Sequence, residues 1–174
     1  MLKKTKQNNL RENILFYNIL LLSRNEQFYT KFNLSDTFQN RIYLIFMHIS
    51  FLFIKIKQNK NNQSHQVFYQ KMFDLIFNQI EQNMREIGFG DTLINKNMKF
   101  LVKTFYTILL YCEKYKEKNS KSKNVFFLKY LERNSIKKHS INGFLIEYFN
   151  KYETFCFDLN PDSVCRGDLN FNYK

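Results

Sequence analysis

The sequence predicts an all-α protein, a single helical bundle of about six to seven helices with an irregular C-terminal tail. Apolar residues recur at helical spacing along the whole chain, while the alternation expected of half-buried strands is nearly absent. The stretch Arg85-Glu86-Ile87-Gly88-Phe89-Gly90-Asp91 lies between two long amphipathic segments and reads as a glycine-punctuated corner between helices. At 174 residues the chain can bury a core without disulfides or metal. One domain is expected over residues 11–157, after a flexible segment at 1–10 and before the tail at 158–174.

The first helix is expected over residues 11–22. Lys3, Lys4 and Lys6 ahead of its apolar run imitate a signal peptide, but Asn18 interrupts the run and no small-x-small cleavage site follows. Residues 26–32 make a short second helix. Asp36 is the expected N-cap of a third helix over 37–57. From Ile42 that helix is apolar on nearly all sides, the pattern of an element surrounded by others. The stretch Ile42 to Ile56 is about 15 residues long and contains His48, Ser50 and Lys55, so it falls short of the ~20 apolar residues needed to span a bilayer. A polar loop at 58–64 precedes a fourth helix over 65–87, whose apolar stripe is Tyr69, Met72, Phe73, Ile76, Ile80, Met84 and Ile87.

A fifth helix, residues 95–115, divides most cleanly. Ile94, Met98, Leu101, Val102, Phe105, Leu109 and Cys112 share one face, and Lys96, Lys99 and Lys103 fall together away from it. Residues 116–123 read as a charged linker. Helices follow at 124–133 and 139–155, the latter with Ile141, Leu145, Tyr148, Phe149 and Tyr152 on one side. From Asp158 an Asn-Pro-Asp turn and polar composition suggest irregular chain.

The net charge of +12 points to an anionic partner only weakly. Of 27 basic residues 6 are Arg, the residue suited to bidentate phosphate recognition, and Lys, Asn, Ile, Phe and Tyr all have AT-rich codons. Cys112, Cys156 and Cys165 fit no zinc spacing. Cys112 reads as a small core residue, and the other two as free thiols suited to a reducing compartment. The Gly88-Phe89-Gly90 pair lacks the preceding strand and third glycine of a dinucleotide loop. Gly88 fits a helix C′ position with positive φ, Gly90 keeps the corner tight, and Asp91 can bond the turn.

The corner residues 85–91, with Lys99 and Lys103-Thr104-Phe105-Tyr106, resemble the central signature of the ubiquinol–cytochrome c chaperone family. Phe28-Tyr29, Asp36-Thr37 and Arg41 stand upstream in that family's order. Leu131-Glu132-Arg133-Asn134 and Gly167-Asp168-Leu169-Asn170-Phe171 are weaker echoes downstream. The similarity spans about residues 14–171 and is strongest over 28–111. It implies a non-enzymatic assembly factor, of the bacterial, alphaproteobacterial-like type, for cytochrome b of the respiratory bc1 complex. Expected partners are newly made cytochrome b, and with it a ribosome or a small helper subunit, with peripheral inner-membrane contact and no DNA. The location implied is cytoplasmic, or the mitochondrial matrix side in a eukaryote.

No catalytic, cofactor or metal motif stands out. His48, alone in its register, reads as a structural histidine rather than a haem or metal ligand, while His65 and His139 open helices and help cap them. Asp74, Glu81 and Glu86 read as a solvated carboxylate face. The candidate partner-binding residues are Arg85, Phe89, Gly90, Asp91, Lys96, Lys99 and Lys103. Phe89, held between two glycines, is the candidate client contact, with local packing as its alternative. Among 31 aromatic residues some exposed patch is expected, and such a patch suits an apolar client. Two other classes compete: a basic RNA- or ribosome-binding module built on the lysines, and a helical lipid- or isoprenoid-binding protein.

Overall fold

The computed structural model describes residues 2–58, 62–134 and 143–173. It is all-α: α1 (Leu2–Ser23), α2 (Gln27–Thr30), α3 (Phe38–Lys57), α4 (Gln63–Glu86), α5 (Asp91–Glu113), a 3-10 turn (Tyr115–Glu117), α6 (Ser120–Tyr130), α7 (Gly143–Asp158) and α8 (Pro161–Arg166). The α1 helix takes in residues 2–10, which the sequence placed outside the domain.

Helix α3 is the axle. It packs against α1, α4, α5, α7 and α8, and every residue from Ile42 to Phe53 is buried. Its all-round apolarity therefore has the expected cause. With no Ala in the chain, rings fill the space between helices. Phe46 meets Phe105 at 5.3 Å between centroids in an edge-to-face pair, and Phe77 at 5.5 Å. Such pairs each add about 0.5–1.5 kcal/mol beyond the area they bury.

The start of α3 corrects one expectation. Thr37, not Asp36, is the N-cap: its hydroxyl accepts the Asn40 N–H at 3.2 Å. Asp36 instead takes both arms of Arg41, at 2.7 and 2.8 Å, and that guanidinium holds the Asp36 carboxyl below its usual pKa. Helix α4 likewise is capped by Asn62, which accepts from the N–H groups of Ser64 and His65. The imidazole of His65 is buried and meets Asp162 at 2.7 Å, so it ties α4 to α8 rather than capping a helix. His139 and Ile141 lie outside the described residues.

His48 is structural. Its Nδ1 lies 2.7 Å from the Leu44 carbonyl and its Nε2 2.8 Å from the Tyr148 hydroxyl. A carbonyl only accepts, so Nδ1 carries the proton and Nε2 accepts from Tyr148. Burial pushes the His48 pKa down to about 4, against the pull of the Leu44 carbonyl.

The stripe of α4 is wider than expected. Phe68 and Phe77 are buried with Met72, Ile76, Ile80 and Met84, because α1, α3, α5 and α8 all touch this helix. Ile87, placed in that stripe by sequence, is instead 58% exposed. The α5 stripe holds, with Ile94, Leu101, Phe105, Leu109 and Cys112 buried and Met98 and Val102 half-buried.

The charged linker is not a linker. It is the 3-10 turn and the first turn of α6, and Lys123 is buried. The Lys123 ammonium sits 4.1 Å from the centroid of the Tyr115 ring and donates to Asn150 Oδ1 at 2.8 Å. Burial lowers its pKa, and Glu153 nearby opposes that shift.

The expected irregular tail contains α8. Asn160 caps it through the Asp162 N–H, Pro161 opens it, and Gly167 ends it at φ +89°. A Cβ on Gly167 would stand 2.7 Å from Ile14 Cγ2, and the Gly167 carbonyl accepts from Asn18 Nδ2 at 2.9 Å. Only glycine fits so close to α1 in that left-handed conformation.

Candidate binding surface at the α4–α5 corner

The corner is a complete Schellman stop. Gly88, at φ +94°, donates to the Arg85 carbonyl, and Phe89 donates to the Met84 carbonyl, both at 3.0 Å. Gly90 behaves differently from its expectation. It is the N-cap of α5 at φ −72° and ψ 154°, and a Cβ there would meet nothing within 4 Å. The corner's tightness therefore rests on Gly88.

Arg85 and Asp91 face each other across this turn. Arg85 Nη1 donates to Asp91 Oδ1 at 2.5 Å, while Nε and Nη2 donate to Glu81 Oε1 at 3.2 and 2.9 Å. Glu81 and then Asp91 raise the Arg85 pKa. Asp91 also opens α5, where a carboxylate meets the positive end of the helix dipole. These two candidate residues therefore brace the corner, and Glu81 belongs to the brace rather than to a merely solvated face. Phe89 projects beside it, 36% exposed.

Lys96, Lys99 and Lys103 are all exposed on α5. None forms an ion pair among the described residues. They form one group on the helix, and they do not meet the Arg85–Asp91 brace.

The structure adds a feature that sequence reasoning missed. A groove of about 310 Å³ opens where α1 and α4 diverge over α3. Its apolar lining includes Phe16 and Leu20 of α1, Ile42 and Ile45 of α3, and Ile76 and Ile80 of α4, while Arg24, Arg41 and Glu86 stand on its rim. Ile87 forms its lip, so the groove runs up to the corner itself. The one sequence signal for it was an apolar residue continuing the α4 stripe past the last helical turn. The groove's volume takes a few apolar side chains, which suits the anchor residues of an amphipathic segment lying across it.

Among the described residues no cluster of His, Cys, Asp and Glu could hold a metal ion, and no helix is long and apolar enough to cross a membrane. The geometry defines an all-α bundle with an apolar groove and a braced corner at one end.

By sequence, the chain belongs to the ubiquinol-cytochrome C chaperone family, whose model matches residues 30–135. That span takes in the corner, the groove's α3 and α4 walls, and the lysine face of α5. The fold is also that of the crystal structure of the Cbp3 homolog from Brucella abortus, with a TM-score of 0.78 at 18% identity over 98% of this chain and 93% of that one. No curated protein matches this sequence significantly.

Proposed function

We propose that this protein is a non-enzymatic assembly chaperone that binds newly made cytochrome b and promotes assembly of the ubiquinol–cytochrome c reductase (bc1) complex. Family membership supports the assembly role. The observation that carries the client reading is the apolar groove ending at Ile87, beside an exposed Phe89. A newly made membrane subunit presents apolar helical segments that water disfavours. Non-directional apolar contact in a cleft shields such a segment without demanding one fixed geometry. Release then needs only a better-packed partner, such as the next subunit of the complex.

In this reading Arg85 and Asp91 keep the corner in shape, Phe89 and Ile87 touch the client, and Lys96, Lys99 and Lys103 attract an anionic surface near the site of synthesis. A ribosome or a small helper subunit is a further partner in this reading, and the work is done on the cytoplasmic side of the inner membrane, or its matrix counterpart.

Deletion of the gene tests the proposal. Cytochrome b and assembled bc1 complex should fall, read from difference spectra and quinol oxidation, while unrelated respiratory complexes persist. Normal bc1 spectra in the deletion strain would reject it.

A further inference from the structure

Helix α5 carries an unusual outer face. Between Thr92 and Cys112 there is no Asp or Glu, and there is no Arg between Glu86 and Glu132. At ~100° per residue, Leu93, Lys96, Phe100, Lys103, Thr107 and Leu110 fall within one sector about 100° wide, with Lys99 at its edge. Leu93, Phe100 and Leu110 are 46%, 57% and 64% exposed. Leu93 and Leu110 are 17 residues apart, so the strip is about 26 Å long at ~1.5 Å per residue.

We infer that this face docks flat on an anionic lipid bilayer, with the lysines on headgroup phosphates and Leu93, Phe100 and Leu110 at the acyl boundary. It gives the proposed chaperone a defined seat on the membrane, and it rests on that function only for its setting. Three features favour lipid over other anions. The cations are all lysines, point charges on flexible stems that reach headgroups from a shallow position. The apolar side chains between them include two leucines, which gain from an acyl boundary and nothing from stacking on bases. The sector also runs along one side of α5, as contact with a plane requires. Positive charge beside exposed apolar side chains is the composition of interfacial helices, whose binding combines apolar burial with attraction to anionic lipid.

The test uses the full chain and two vesicle preparations, one of phosphatidylcholine alone and one also containing phosphatidylglycerol. Flotation should show binding to the anionic vesicles only. Lys96→Gln/Lys99→Gln/Lys103→Gln should reduce that binding by roughly tenfold or more, since each lysine near an anionic surface contributes separately. Leu93→Ser/Phe100→Ser/Leu110→Ser should reduce it comparably. The chain has no Trp, so Phe100→Trp supplies a single reporter whose emission should shift to the blue on anionic vesicles. Unchanged flotation of the lysine variant, or unshifted emission, would overturn the inference. So would tighter binding to a single-stranded RNA that survives the serine substitutions, which would make the face a nucleic-acid surface, or selective capture of an acidic protein with no vesicle binding. Capture of cytochrome b segments is measured on the same variants. Its persistence when flotation fails removes the lipid seat alone, and its absence in the unaltered chain removes the client reading alone.

Discussion

Asn40 grips the backbone of Glu132 with both ends of its amide. Its Nδ2 donates to the Glu132 carbonyl at 2.8 Å and its Oδ1 accepts the Glu132 N–H at 2.9 Å. The same Nδ2 donates to the Ser35 carbonyl at 2.7 Å, and Leu34 and Arg133 form an antiparallel bridge alongside. Asn40 is fully buried, so one side chain staples the loop before α3 to the segment after α6, 92 residues away.

Asn40→Ala should therefore destabilise the fold by about 2 kcal/mol, because three hydrogen bonds between a fully buried amide and part-buried backbone groups are lost at once. Urea unfolding at neutral pH would show a lower midpoint with an unchanged slope. A loss below about 0.5 kcal/mol would mean that water or backbone replaces the amide.

The two corner glycines should respond in opposite ways. Gly88→Ala forces a Cβ into positive φ and should cost about 1 kcal/mol. Gly90→Ser should stabilise by roughly 0.5 kcal/mol, since α5 lacks a side-chain cap and serine's conformation there is unstrained. Even Gly90→Val should leave the corner closed. Paired melting curves decide this, and equal losses from both positions would refute the assignment of the turn to Gly88.

His48 gives the stability a pH dependence. Its folded pKa is about 4 and its ordinary value 6.5, so the unfolded chain takes the proton first as pH falls. The contribution is fully present above pH 6.5 and is lost between there and about 4. Between pH 7 and 5 this group should remove roughly 2 kcal/mol. His48→Gln should abolish that part of the slope. A slope unchanged in the variant would place the titration elsewhere.

Client capture should separate from stability at the groove's lip. Ile87→Asp puts a charge where an apolar segment would lie, and it should lower pull-down of cytochrome b segments by roughly tenfold with little change in melting temperature. Phe89→Ala should weaken capture less, because it stands beside the groove rather than in it. A large fall in melting temperature for either variant would move that residue from the surface to the core.

Much of the bundle was legible because single helices carry their own periodicity. The buried α3 and the divided α5 follow directly from spacing along one element. Where two neighbouring residues could both cap, as at Asp36 and Thr37, the choice was made by Arg41, which captured the carboxylate. Lysine-rich composition hid the burial of Lys123, since its partners Tyr115 and Asn150 come from either side of it in the chain. The Asn160-Pro161-Asp162 turn signal is equally a cap followed by a first-turn proline, which is what it forms. The groove was illegible for a deeper reason. It is a space between α1, α3 and α4, and no single helix's pattern contains it. Lysines 96, 99 and 103 fell where spacing put them, whereas the bond between Arg85 and Asp91 needed the turn's geometry.

The seat of Gly167 against α1 has a consequence for how the molecule is made. Asn18 waits for a partner 149 residues further along the chain. At translation rates of ~5–20 residues per second, that interval is roughly 7–30 s. Throughout it, the inner side of α1, with Leu15 and Ile19, lacks the α8 contact that completes its burial. For those seconds the protein is itself an unfinished chain with an uncovered apolar surface, in the same predicament as the client proposed for it.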